Sequence, residues 1–319
     1  MKAAIVTQYG SPPVYGDYDE PLAGGGETVV RVHAAPLSPI VKALAAGTHY
    51  ASSARAGFVP GVDGVGIDPE GQRVYFLFPK APFGSMGELA LVSKQMIVPI
   101  PDGISDVRAA AVATGGLASW VALTRRAPLQ PGATALVNGA TGAAGSMAVQ
   151  IARHFGAKKI IAVGRNREKL NQLAADVQIS LDDAGADSAL RAEFDHGVDV
   201  VLDFLWGAPA IRVIAAATKN RGSRTGEPKV RYVQLGTSAG DEIPMRGDSF
   251  RSSGLELIGS GIGSVAISEL LAGARELLSE AHKAGFDAPV TTLPLTAVSE
   301  AWAGPANIRY ILSPADHTH

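Results

Sequence analysis

Cysteine is absent from all 319 residues. That removes disulfides, thiolate nucleophiles, iron–sulfur clusters and every zinc site built on Cys. Charge is sparse. Asp, Glu, Lys and Arg together make up 18%, and 28 basic against 30 acidic side chains leave a formal net charge of −2. No global basic field exists to hold nucleic acid, so no nucleic-acid partner is expected. No apolar run approaches the roughly 18 residues that span a bilayer, so no membrane partner is expected either. The first residues, Met1–Gln8, return to polarity after Ala3-Ala4-Ile5-Val6, which is too short for a signal h-region. The expectation is a soluble, cytoplasmic protein. What remains is apolar and flexible: 46% hydrophobic residues and 37 glycines. Such a chain is not disordered and can bury a large core, and its length suits two domains.

The texture changes along the chain. Up to about residue 110, short apolar runs alternate with turn clusters such as Gly10-Ser11-Pro12-Pro13 and Gly24-Gly25-Gly26-Glu27. Strands are expected at 3–7, 28–34, 64–67, 72–78, 87–92 and 97–99, with one short helix at 39–46. Strands at this spacing suggest a small barrel. An Ala-rich helix follows at 107–125. Then apolar strands alternate with amphipathic helices: strands at 133–137, 159–163, 198–203, 231–235 and 255–258, and helices at 145–155, 168–175 and 208–218. This alternation predicts an α/β fold with a doubly wound parallel sheet covered on both faces. A long helix at 268–284 and short strands at 290–293 and 309–312 close the chain.

The strongest local signal is Val137-Asn138-Gly139-Ala140-Thr141-Gly142-Ala143-Ala144-Gly145, between a strand and a helix. Read against G-x-G-x-x-G, Ala140 stands at the first glycine position, with Gly142 and Gly145 at the others. Gly142 lets backbone approach a pyrophosphate, and Gly145 lets the helix pack on the strand. The helix N-terminus then offers free N–H groups to the phosphates. Thr141, Gly142, Ala143, Ala144 and Gly145 are therefore the expected diphosphate cradle. The next strand ends at Gly164-Arg165-Asn166-Arg167, with no acid to accept from an adenosine ribose 2′-hydroxyl. A guanidinium fork matches a 2′-phosphate, which favours NADPH over NADH.

A β-rich N-terminal part with this glycine turn in mid-chain resembles the medium-chain dehydrogenase/reductase superfamily, and within it the zinc-free quinone oxidoreductase and enoyl reductase branch. The likeness is carried by Val62-Asp63-Gly64-Val65-Gly66, Gly71-Gln72-Arg73-Val74, Gly87-Glu88-Leu89-Ala90, Ala109-Ala110-Ala111, Asp199-Val200-Val201-Leu202-Asp203 and Gln234-Leu235-Gly236. The resemblance implies a discontinuous GroES-like β-barrel domain (1–115 and 285–319) and a Rossmann NADPH-binding domain (116–284), with the active site in the cleft between them. It also implies hydride transfer to a quinone or α,β-unsaturated carbonyl, and a homodimer joined through an edge strand near 255–259. Pro60-Gly61-Val62-Asp63-Gly64 stands where zinc members have Gly-His-Glu, so no metal is expected.

By position at strand ends and by the resemblance, Phe204, Leu205, Leu235, Gly236 and Thr237 should touch ribose and nicotinamide. Ser38 stands where the branch commonly has an Asn at the nicotinamide ribose. Tyr50 stands near a Tyr often seen at the substrate pocket, where its phenol could donate to a developing oxyanion. These two are the candidate catalytic residues. Trp206 falls where the branch usually has Gly. The basic run 219–231 reads as a solvated loop. Two alternatives stay open: a zinc-free alcohol or ketone reductase acting at C=O, and a non-catalytic NADPH-binding sensor.

Overall fold

The computed structural model describes residues 1–49, 52, 55–305 and 308–314. The chain divides into two units, Met1–Thr114 with Leu271–His319, and Gly115–Leu270.

The first unit opens with strands β1 (Lys2–Ile5) and β2 (Val14–Asp17), which pair antiparallel. The long β3 (Glu27–Leu37) buries Val30, Val32 and Ala34 and turns Arg31 and His33 away from the core, as period-two alternation requires. Helix α1 (Pro39–Ala45) starts on a proline, whose missing N–H has no partner to lose there. Strands β4 (Asp63–Ile67), β5 (Arg73–Leu77), β6 (Leu89–Ser93) and β7 (Ile97–Pro99) follow. Helix α2 (Asp106–Val121) runs on into a π-helical turn, Ala122–Arg126.

The second unit alternates strand and helix: β8 (Thr134–Asn138), α3 (Ala143–His154), β9 (Lys159–Gly164), α4 (Arg167–Asn171), β10 (Val177–Ser180), α5 (Ala186–His196), β11 (Val200–Asp203), α6 (Gly207–Thr218), β12 (Lys229–Gln234), α7 (Asp248–Arg251) and β13 (Gly254–Gly259). All six strands are parallel, in the order β10-β9-β8-β11-β12-β13. The expected α/β fold with a doubly wound parallel sheet is thus present. The strand order reverses between β8 and β11, and ligands of such sheets bind outside the carboxyl ends at that point. β11 is buried along its whole length, as a central parallel strand must be.

Helix α8 (Ile267–Ala284), β14 (Thr291–Pro294), α9 (Val298–Ala303) and β15 (Tyr310–Ser313) complete the chain. β15 pairs antiparallel with β3, giving the first unit a sheet ordered β14-β15-β3-β4-β5-β7, with β6 also on β3. Its core gathers Val30, Val32, Val74, Phe76, Met86, Val92, Leu295 and Leu312.

Three differences from the sequence expectation have physical causes. Strands β2 and β10 are four residues each, too short for a periodic signal. Helix α5 buries only Ala186, Leu190 and Phe194, one narrow stripe in a polar run. The stretch Asp106–Arg126 is a 21-residue helix whose most apolar 18-residue window has a mean hydropathy of 1.3, enough by length and composition to cross a membrane, with 72% of that window buried inside the protein. Arg108 and the central Thr114-Gly115-Gly116 hide that length from a search for unbroken apolar runs.

Candidate functional site

After Asn138 the chain turns with almost no side chains in the way. Gly139 has φ of +91°, and a Cβ there would lie 2.9 Å from Leu205 Cγ. Its N–H and that of Ala140 both donate to Val163 O at the end of β9, each at 2.9 Å. Gly142 N–H donates to Gly139 O at 3.1 Å, and Gly142 then serves as N-cap of α3. Among the described residues no side chain caps this helix. The first-turn N–H groups of Ala143, Ala144 and Gly145 are thus left for another acceptor, at the positive end of the helix dipole.

The two glycines divide the work. A Cβ on Gly145 would lie 2.2 Å from Gly139 O, so turn and helix meet closer than any other residue allows. A Cβ on Gly142 would lie 3.5 Å from the same oxygen, an ordinary contact. Gly142 and Ala143 are exposed, so the missing side chain at 142 keeps the outer surface clear. A cradle that a Cβ would fill, lined by helix N–H groups, fits a diphosphate. Thr141 leans on β9, where a Cβ on Gly164 would meet Thr141 Cγ2 at 3.0 Å.

At the tip of β9 the three residues singled out by sequence have different fates. Asn166 accepts from Lys169 N–H at 2.9 Å and caps α4. Arg167 pairs with Asp183, which arrives from beyond β10. No acid occupies the tip residues 164–167 themselves, yet the fold brings Asp183 to them. Arg165 is exposed, and no described residue pairs with its guanidinium. Its carbonyl is held by Ser180 Oγ at 3.1 Å.

The tips of β11 and β12 meet the glycine turn. Phe204 N–H donates to Asn138 O at 3.1 Å, and Leu205 packs on Gly139. Leu235 and Gly236 donate to Asp203 O at 2.7 and 3.2 Å, and a Cβ on Gly236 would lie 2.7 Å from Phe204 O. Ala239 N–H donates to Leu205 O at 2.7 Å, and Thr237 O accepts from Gly240. The structure therefore brings residues 139–145, 204–207 and 235–240 together at the carboxyl edge of the sheet.

Beneath them lies a network that sequence reading missed. The Asp203 carboxylate is fully buried and accepts from Asn138 Nδ2 at 2.8 Å, Tyr232 Oη at 2.8 Å and Leu205 N–H at 3.0 Å. Trp206 N–H donates to both carboxylate oxygens, at 3.3 and 3.2 Å. Burial holds the carboxyl above its ordinary range, against the pull of these four donors. Trp206 itself has φ 56° and ψ −158°, a conformation open to glycine and costing other residues about 1–3 kcal/mol. The apolar strand ending in Asp203 was legible; the partners it gathers from β8 and β12 were not, because they are far apart in sequence.

In the first unit, Ser38 follows β3 and is 5% exposed, with an Oγ that has no hydrogen-bond partner among the described residues. Tyr50, the other catalytic candidate, lies outside the described residues. Asp63 is buried at the start of β4, accepting from Tyr75 Oη at 3.0 Å and from Thr114 Oγ1. Burial pushes its carboxyl up to about 6, against the pull of Thr114, Tyr75 and the nearby Arg309. Oδ1 of Asp63 and Nη1 of Arg309 are both buried without a partner among the described residues. His33 Nδ1 meets Asp106 Oδ2 at 2.7 Å, while Arg73 holds Asp106 Oδ1. Burial alone would raise Asp106, but these bonds outweigh it and hold the carboxyl low.

A doubly wound sheet with a side-chain-poor turn at its switch point, together with a β-rich unit built from both ends of the chain, defines a two-unit dehydrogenase-type architecture. The zinc-binding dehydrogenase family (ADH_zinc_N) matches residues 143–280. The "Probable NADPH-dependent quinone reductase tdiC" of Emericella nidulans is 29% identical over 95% of this chain and 96% of its own. The "Quinone oxidoreductase" of Lama guanicoe is 26% identical over 76% of this chain and 82% of its own. Among solved structures, the quinone oxidoreductase from Thermus thermophilus, determined also in complex with NADPH, superposes with a TM-score of 0.80 at 25% identity, covering 98% of this chain and 100% of that one. These likenesses support a medium-chain dehydrogenase/reductase of the quinone oxidoreductase branch. Its residues do not fit the zinc of the matched family's description. Cysteine is absent, and among the described residues no three His, Asp or Glu side chains converge as metal ligands.

Proposed function

We propose that this chain is an NADPH-dependent oxidoreductase that passes a hydride to a quinone or an α,β-unsaturated carbonyl compound without a metal. The observation that carries this reading is the side-chain-poor turn of β8 with the exposed Arg165 at the neighbouring tip of β9. Relatives described as NADPH-dependent quinone reductase and as quinone oxidoreductase in complex with NADPH support it. NADPH, when bound, supplies the hydride. The chain supplies position. Thr141, Gly142, Ala143, Ala144 and Gly145 hold the diphosphate, and Gly164, Arg165, Asn166 and Arg167 form the adenosine end. Within that end Arg165 meets the 2′-phosphate, since Asn166 is spent on a cap and Arg167 on Asp183. Phe204, Leu205, Leu235, Gly236 and Thr237 face ribose and nicotinamide. Ser38 and Tyr50 serve the substrate end.

The protein works in the cytoplasm as a homodimer joined along β13, the edge strand of the parallel sheet. Titration of the purified protein with NADPH and NADH, followed by coenzyme fluorescence, tests the reading. NADPH should bind more tightly, and turnover with an enone should yield the C=C-reduced product. Equal affinities, or no binding, overturn the coenzyme assignment; an allylic alcohol as product overturns the substrate assignment.

A further inference from the structure

We propose that Asp203 is a positioning residue for the coenzyme, acting through the backbone of Trp206. This rests on the coenzyme reading above and adds a residue that sits beneath the binding surface. Asp203 is buried at the tip of β11, and each of its four partners reaches it from a segment of the cradle or its support. Asn138 is the last residue before the glycine turn, Tyr232 stands on β12, and Leu205 and Trp206 form the loop above. A carboxylate offers about four lone-pair sites, and here donors occupy them all.

Trp206 is the strained member. Its backbone conformation favours glycine, yet it carries the largest side chain, which packs half-buried against the hydrophobic core of the second unit. Its N–H is shared between the two Asp203 oxygens. The next residue, Gly207, has φ +58°, and a Cβ there would lie 2.3 Å from Ala239 O. The path of residues 204–207 is thus set from below by one carboxylate and from the side by the 236–240 loop. Released from Asp203, Trp206 has a strong reason to relax to an ordinary conformation, and Phe204 and Leu205 move with it. The carboxylate keeps the loop preset, so that coenzyme binding does not have to order it.

The test separates this from a general structural role. Asp203→Asn should weaken NADPH binding about tenfold at a temperature well below its melting point. Trp206→Gly and Trp206→Ala are then made both with Asp203 intact and in the Asp203→Asn background. Both remove the indole, but only glycine adopts the conformation unaided. With Asp203 intact, the two should bind NADPH within about threefold of each other; in the Asp203→Asn background, the glycine variant should bind about tenfold more tightly than the alanine variant. Equal binding by the two in the Asp203→Asn background, or undiminished binding by Asp203→Asn itself, overturns the proposal. Should the Asp203 variants fail to fold, amide hydrogen exchange on the unaltered protein decides. The Leu205 and Trp206 amides should be protected without coenzyme to the degree of the β11 amides, and rapid exchange there overturns the preset loop. An unaltered protein that binds no NADPH defeats the coenzyme reading instead, and the exchange measurement still reports on the latch.

Discussion

Arg165 and Arg167 stand two residues apart and look equivalent in sequence, but they differ in what surrounds them. Arg167 is neutralised by Asp183, whereas Arg165 is exposed and meets no described partner. Arg165→Ala should therefore raise the dissociation constant for NADPH by about tenfold or more, with little effect on NADH. Arg167→Ala should act mainly on stability. Coenzyme titration of both variants checks this, and a larger loss at Arg167 would reverse the assignment. Asp63 makes the second prediction at this scale. Its carboxyl titrates at about 6 in the fold against 3.8 in the unfolded chain. Between these values the folded state binds the proton and the unfolded state does not. The contribution of Asp63 is therefore full below pH 3.8 and is lost as pH rises through 6. A shift of that size corresponds to roughly 3 kcal/mol. Asp63→Asn should match the unaltered protein near pH 4 and exceed it in stability at about pH 8, in chemical denaturation run at both pH values. Equal stabilities at the higher pH would show that the carboxyl is not buried as described.

At the scale of elements, the β8 turn and α3 separate packing from binding. Gly145→Ala pushes a methyl group to within 2.2 Å of a backbone oxygen, where nothing can yield cheaply. It should lower stability by about 1–3 kcal/mol and abolish coenzyme binding with it. Gly142→Ala meets only an ordinary contact at 3.5 Å, so the melting temperature should stay within a degree or two while NADPH binding falls. Thermal melts and titrations of the pair check the contrast; a stable Gly142→Ala protein that binds normally would remove the diphosphate from this turn. Most of this element was legible in the sequence, because a strand, a small-residue turn and a helix are contiguous and their spacing is set by local geometry. The network under it was not. Asn138, Asp203 and Tyr232 come from three strands, and Tyr232, within the strand expected at 231–235, is fully buried. The basic run is a folded loop as far as 228, where the Glu227 carboxylate accepts from Gly222 and Ser223 N–H and Arg221 pairs with Asp195, and its last three residues, Lys229–Arg231, open β12.

At the scale of the whole molecule, the parallel sheet ends on β13, which carries Leu257, 37% exposed. Ser260 N–H donates to Gln234 O, so by alternation Leu257 N–H points away from β12. Proline is tolerated where a strand N–H faces outward. In the proposed homodimer, Leu257→Pro should leave the fold and coenzyme binding in place but block pairing along this edge, shifting the sedimentation coefficient from dimer to monomer. An unchanged dimer would place the interface elsewhere.

The sequence by itself determined the α/β class, the mid-chain glycine turn, the regular alternation after residue 130 and the exclusion of cysteine chemistry. Each of these depends on composition or on neighbours within a few residues. Only the tertiary structure decided which arginine at the β9 tip stays available, which residue neutralises the other, and what holds Trp206 in its strained conformation. Those outcomes depend on Asp183, which the fold brings to Arg167, and on Asn138 and Tyr232, which it brings to the Asp203 carboxylate that holds Trp206. Burial and pairing between distant strands leave no periodic trace in a linear chain.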